Sequence, residues 1–433
     1  MTFVDPASTS DGQAALERIL RAYVARRPGW PTEVEPEVRV VETEMVRRGR
    51  PGLYDVVAEV GGRIVHVALG LRIGGDDVYF FPSGDDPVLG VLPVDDDRLV
   101  AFDALHDAET AALLLEHVTG EQADPALVRP VRYDDESSAV ASGDALVFTV
   151  YDSLERGPRP GIEMLVALDD EGFNHLPAPL SIWRRGTWDL GLVQEHLPGA
   201  STGWALALTS VRDLYASGGP PDMAGGDFGS EAHRLGTMAA RMHLALERAF
   251  GRRKMEHSQL ADALARAVAI RTPMRAERPE VVALLDELRA VTTTGDAIRT
   301  HGDLHLGRVW RTEQGWYVGD FAPGGRPPDP GDGSPPLAVV DEQGEAYRLP
   351  LADVADMMWS FGHVAASAAA ERDPSGVEGL GELADAWVER NRRAFLAGYL
   401  GVPGISTLVP AGRDTVRVLI ESLELERGSR ERS

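Results

Sequence analysis

Residues 301–322 read HGDLHLGRVWRTEQGWYVGDFA. Residues 309–311 and 316–319 are strand-like and flank the turn TEQG at 312–315, so the spacing predicts an antiparallel hairpin. The returning strand brings the loop carrying Asp303 beside the loop carrying Asp320. Two carboxylates converging on one cleft can divide the work of phosphoryl transfer: one accepts the proton of an attacking hydroxyl, the other holds Mg²⁺ against the phosphates. Aspartate is also common at strand ends and turns because its side chain bonds local backbone N–H groups. The two residues alone leave a purely structural reading open.

The surrounding chain has 433 residues, beyond the size at which one core stops growing, so two or three domains with clefts between them are expected. Apolar residues make up 43% and charged residues 26%, the composition of a folded protein. Against 43 Lys plus Arg stand 68 Asp plus Glu, a net charge of −25, which excludes a general affinity for nucleic acid or anionic membrane. Small-molecule or protein partners remain. Cysteine is absent, which excludes disulfides, zinc-thiolate sites and thiol nucleophiles. The start, MTFVDPASTSDGQAALERIL, has neither a basic n-region nor an apolar h-region, and no apolar run reaches the ~18 residues of a membrane span. A cytoplasmic protein is expected. Lys254 is the only lysine.

Outward from the hairpin, residues 11–26 repeat apolar positions at helical spacing until the Pro-rich RRPGWPTEVEPEV stops them. YDVVAEV-GG-RIVHVALGLRI carries a hairpin signal and VYFFPS at 78–83 continues the β character, so residues 1–100 read as a sheet-rich cap. Within 101–200, residues 107–118 are helical and 137–153 read as a turn followed by a buried strand. IEMLVALDDEG is a helix ending near Gly172, and residues 178–201 form a hairpin and a linker at Pro198 and Gly199. Residues 201–433 are mostly helical, interrupted by the opening hairpin and by the loop PGGRPPDPGDGSPP. Trp204 and Trp359 lie on helical patterns and read as core.

HGDLHLG followed by a hairpin and DF resembles the catalytic core of the aminoglycoside phosphotransferase and protein-kinase-like superfamily. TGWALALTSVRDLYA at 202–216, GGDFGSEAHRLGTMAARMH at 225–243, IEM at 162–164, GLVQEHLPGAS at 191–201 and LADVADMMWSFGHVAA at 351–366 are similar to the maltokinase family, in the same order, over roughly residues 130–370. The resemblance implies an α+β, bilobal protein-kinase-like fold: an N-terminal β-rich cap (1–100), a small β lobe (101–200) and a larger helical lobe (201–433). It implies Asp303 as base, Asp320 as metal ligand and Glu163 as the helix glutamate that pairs with a strand lysine. Gln194 and Glu195 fall in the hinge whose backbone meets the adenine. His301 and Asp353 are supports of the catalytic loop.

The chain also departs from the family pattern. The phosphate-contacting lysine falls at Thr149; Arg156 or Arg159 could bring charge, but a planar fork does not replace an ammonium, and Glu163 is left without its partner. Arg308 stands where the superfamily has Asn or Gln as a second metal ligand. A guanidinium has no lone pair for a cation, though it can bond a phosphate. After Asp320 the family's acidic segment is FAPGGRP. The C-terminal run offers Glu421, Glu424 and Glu426 as acceptors toward a sugar, against the plainer reading of a solvated helix end. The resemblance implies an ATP- and Mg²⁺-dependent monomeric kinase making maltose 1-phosphate for glycogen and α-glucan synthesis. The alternatives are a glucosamine kinase, or a degenerate kinase acting as a binding partner of a glucan-metabolism enzyme.

Overall fold

A computed structural model of the chain describes residues 6–26, 36–73, 87–94, 97–131, 137–155, 157–223, 226–271, 276–322, 337–372 and 380–430. The expected strand at 78–83, the loop at 323–336 and Arg156 lie outside them. Two compact units form: Met1–Arg159 with Pro177–Pro198, and Pro160–Leu176 with Gly199–Ser433.

The first unit holds two antiparallel sheets. The strand order of the first is Val38–Arg47, Gly52–Val60, Arg63–Ile73, Asp97–Asp103, Val88–Val94, with Ser153–Leu154 added to Arg63–Ile73. The helix Ser10–Val24 is capped by Thr9, whose hydroxyl accepts from Gly12 N at 3.1 Å. Its apolar stripe, Leu16, Ile19, Leu20 and Tyr23, packs with Tyr54, Val56, Val67 and Leu69 of the sheet. The second sheet runs Pro179–Arg185, Trp188–Glu195, Leu146–Tyr151, Ser137–Ser142, Val128–Val131. Residues 137–153, expected as a turn and one strand, are therefore two paired strands; SSAVAS alternates with small residues that muted the signal. The Ala108–Thr119 helix shares a core with both sheets through Leu114, Leu115, Phe148, Leu53 and Val57.

In the second unit, the helix Pro160–Asp170 ends where Gly172 takes φ 71°, as the sequence predicts. The helices Gly203–Ser217, Gly229–Phe250, His257–Arg271, Pro279–Ala290, Pro350–Arg372, Leu380–Leu400 and Arg413–Arg430 follow, in keeping with the mostly helical character expected of residues 201–433. Gly229–Phe250 and Leu380–Leu400 touch backbone to backbone: a Cβ on Gly236 would lie 2.0 Å from the Phe395 carbonyl oxygen, and one on Gly398 2.0 Å from that of His233. Gly203–Ser217 and Pro350–Arg372 complete this bundle, which carries the hairpin Val309–Arg311 and Trp316–Val318. Ser201–Thr202 adds a short third strand to that hairpin. Trp204 and Trp359 are half-buried and not core; each lies against His363, with ring centroids 5.4 and 4.7 Å away.

Candidate active site

The loop before the hairpin is fastened from below. Gly302 has φ 88°, a conformation that a side chain disfavours. Asp353, buried in the first turn of Pro350–Arg372, accepts from His301 N at 2.8 Å and Gly302 N at 3.0 Å. Arg348 Nη1 donates to the Gly302 carbonyl at 3.2 Å. His243 Nε2 donates to Asp353 at 3.0 Å, and its Nδ1 meets the Tyr399 hydroxyl at 2.8 Å. Burial raises the Asp353 carboxyl, but the His243 hydrogen bond and charge outweigh it and hold the group below its ordinary value. His301 donates from Nε2 to the Gly319 carbonyl at 2.9 Å and accepts from Asp303 N on Nδ1 at 3.3 Å. Burial pushes His301 down despite Asp353, favouring the neutral ring with the one donor and one acceptor this geometry needs. Its ring lies 4.8 Å from that of Phe321. Both residues therefore support the loop, as the resemblance implies.

The hairpin register pairs Val309 with Val318, which sets Arg308 and Asp320 side by side at its foot. Asp320 has φ 56°, the one left-handed non-glycine residue among those described. Such a conformation costs energy and survives only where its surroundings enforce it. Arg308 Nη1 donates to Asp320 Oδ2 at 3.0 Å, and its Nε lies 3.7 Å from Asp303 Oδ2. The two carboxylates thus converge on one guanidinium. Asp303 Oδ1 accepts from Arg427 Nη1 at 2.9 Å, and its Oδ2 lies 3.4 Å from His305 Nε2. Burial pushes the Asp303 carboxyl up, but His305 and Arg427 outweigh it and hold it well below the carboxylate range.

Glu163, expected to lack a partner, has one. Arg299, 2% exposed, donates from Nη1 to Glu163 Oε2 at 2.7 Å, sets Nη2 2.9 Å from Glu345 Oε2 and lies 4.3 Å over the Phe250 ring. Glu163 and Arg299 both belong to the second unit, and the glutamate's helix starts against the catalytic segment, since a Cβ on Gly161 would lie 2.7 Å from the Phe321 carbonyl oxygen. Thr149 belongs to the first unit: it is buried in the strand Leu146–Tyr151, its hydroxyl unpartnered among the described residues. Gln194 and Glu195 end the strand Trp188–Glu195 in that same unit, where Glu195 N donates to the Ala178 carbonyl at 2.9 Å. Arg159 is engaged there too, donating to the Ser153 carbonyl at 3.2 Å with its guanidinium 4.0 Å over the Tyr151 ring. Lys254 pairs with Asp296 at 2.6 Å.

The last helix overturns the expectation of a solvated end. Glu426 is 3% exposed, Glu424 is half-buried against Arg392, and Glu421, the most exposed of the three, pairs with Arg417 at 2.8 Å. Burial, partly offset by Arg392, pushes the Glu424 carboxyl up to about 7. This helix also supplies Arg427, which sequence reasoning missed; no local pattern ties it to Asp303, 124 residues away. His305 and Arg299, which flank the HGD triplet closely, were the legible omissions. A cavity of about 790 Å³ opens between the helices Pro279–Ala290, Pro350–Arg372, Leu380–Leu400 and Arg413–Arg430, lined among others by Glu280, Trp359, His363, Arg392, Glu421 and Glu424. Arg427 links its wall to Asp303, with its guanidinium 5.4 Å from the Trp359 ring centroid.

No family model matches the chain. It is 30% identical over 294 residues to a glucosamine kinase of Mycolicibacterium smegmatis, covering 63% of this chain and 66% of that protein. It is 30% identical over 312 residues to a glucosamine kinase of Streptacidiphilus jiangxiensis, covering 67% and 65%. The chain thus spans slightly less than two thirds of the length of these curated relatives. Among solved structures, a glucosamine kinase in complex with glucosamine, ADP and inorganic phosphate has a TM-score of 0.60 at 23% identity, over 95% of this chain and 93% of that one. Crystal form B of a glucosamine kinase gives 0.62 at 22%, over 99% and 92%. The chain therefore has the α+β, protein-kinase-like fold of these solved glucosamine kinases, as the resemblance of its catalytic segment implies.

Proposed function

We propose that the protein is an ATP- and Mg²⁺-dependent phosphotransferase acting on an amino sugar of the glucosamine type. The observation that carries this reading is the convergence of Asp303 and Asp320 at the foot of one hairpin, on a loop fastened by Asp353. Asp320 offers a hard oxygen donor, suited to Mg²⁺, which takes one or two carboxylates and completes its shell with water and phosphate oxygens. When bound, the ion supplies neutralisation of phosphate charge. Asp303 orients the acceptor: Arg427 holds Oδ1 at 2.9 Å, while the contacts of Oδ2, at 3.4 and 3.7 Å, are longer than good hydrogen bonds. The acceptor oxygen bonds to the γ-phosphorus, the bond from that phosphorus to ADP breaks, and the hydroxyl proton passes to Asp303. Its low proton affinity makes it a constantly charged positioning group more than a strong base, which suits a reaction that depends on placement and electrostatics.

The choice of an amino sugar over maltose rests on the cavity beside Arg427. Beside the Arg392–Glu424 pair its lining carries the carboxylates of Glu280 and Glu421, and Trp359 with His363 offers a stacked flat surface for a sugar face. The glucosamine kinases to which the chain is similar support the same choice. A non-catalytic binding role is favoured by one feature, the buried Thr149 at the lysine position. Calorimetric titration with Mg-ATP, followed by ADP release in the presence of glucosamine, glucose or maltose, separates these readings. Glucosamine is expected to give the fastest release. Nucleotide binding without acceptor-dependent release selects the binding role, and absence of nucleotide binding sinks both.

A further inference from the structure

We propose that Arg308 takes the place of a second divalent cation, so that the nucleotide complex holds a single metal ion. The inference rests on the phosphotransferase reading above and concerns the same site. Phosphoryl transfer on this kind of scaffold gathers positive charge between the catalytic and metal-binding carboxylates, and protein kinases do so with two Mg²⁺. Here that space already contains a fixed cation. Arg308 projects from the foot of the hairpin, one third exposed, with Nη1 3.0 Å from Asp320 Oδ2 and Nε 3.7 Å from Asp303 Oδ2.

Two properties of a guanidinium then exclude a metal between the same two carboxylates. It has no lone pair, so it cannot itself become a ligand. It keeps its charge at every accessible pH, so a divalent ion placed against it meets uncompensated repulsion that grows as water is excluded. Asp320 still offers its carboxylate to one ion, with the remaining ligands drawn from water and phosphate oxygens. No group of three or more Asp, Glu or His side chains that could hold a metal ion occurs among the described residues, so no second all-protein cage is available there. The five N–H donors of Arg308 can meanwhile bond the phosphates directly, in the fork geometry that matches them.

The test counts metal ions. Mn²⁺, in place of Mg²⁺, is titrated into the full chain with saturating ADP while the free ion is followed by its electron paramagnetic resonance signal, and ADP binding is measured on the same samples by calorimetry. Wild type is expected to bind one Mn²⁺ per ADP complex. Arg308→Asn, which supplies a carbonyl ligand in place of the charge, is expected to bind two, and Arg308→Lys, which keeps the charge, one. Two ions in wild type, or one in Arg308→Asn with ADP still bound, would overturn the proposal. Absence of ADP binding to wild type would overturn the functional reading and this inference with it, and the calorimetric arm identifies that failure.

Discussion

Asp303 is held by charge more than by burial. Arg427 at 2.9 Å and His305 at 3.4 Å keep it ionised, and Arg308 stands 3.7 Å away. Replacing it with Asn removes the proposed acceptor of the hydroxyl proton while keeping the side chain's shape. Transfer is expected to fall by about 10²-fold or more, with a thermal midpoint close to wild type; an unchanged turnover number would remove Asp303 from the chemistry. Glu424 behaves in the opposite sense. Its carboxyl is raised from an ordinary 4.5 to about 7 by burial. Between those two values the folded state keeps a proton that the unfolded chain has lost, so this group's contribution to stability declines as pH rises through the window. The melting temperature of wild type is therefore expected to drop relative to Glu424→Gln between about pH 5 and pH 7; parallel curves for the two proteins would refute the assignment. The raised carboxyl was not legible in ESLELERGSRERS, because a charged helix end looks the same whether it meets water or Arg392.

Helix against helix, the second unit depends on close approach. Gly236 and Gly398 let Gly229–Phe250 and Leu380–Leu400 touch, and His243 and Tyr399 on those same helices reach the catalytic loop through Asp353. Gly398→Ala forces a methyl to 2.0 Å from the His233 carbonyl oxygen, so the helices must part. A loss of about 1–3 kcal/mol or more is expected, read as a lower denaturant midpoint, together with weakened transfer as Asp353 shifts; a midpoint equal to wild type would show that the helices separate at no cost. The helices were readable from their periodicity and stops, and Gly172 marked an end correctly. Their mutual contacts were not, since a glycine inside a helical pattern does not name the backbone it faces.

Over the whole molecule, the net charge of −25 makes a field that attracts cations and repels anions. A cationic acceptor gains in encounter rate and a neutral one does not. The value of kcat/KM for glucosamine is therefore expected to fall as ionic strength rises from about 20 to about 200 mM, where the screening length shortens to less than a third. That for glucose should stay level, and equal salt dependence for both sugars would argue that steering plays no part. No helix among the described residues is long and apolar enough to cross a membrane.

The opening stretch already contained the hairpin and the two aspartates, because turns and strand alternation depend on residues a few positions apart. The sheet-rich first half and helical second half followed from the same short-range rules. What required the folded chain was the choice of partner. Glu163 lost its strand lysine and found Arg299, Asp303 was met by Arg427 from the last helix, and the cavity arose where four helices came together. An ion pair needs only opposite charge and proximity. Many arginines here could satisfy it, and packing alone determines which one arrives.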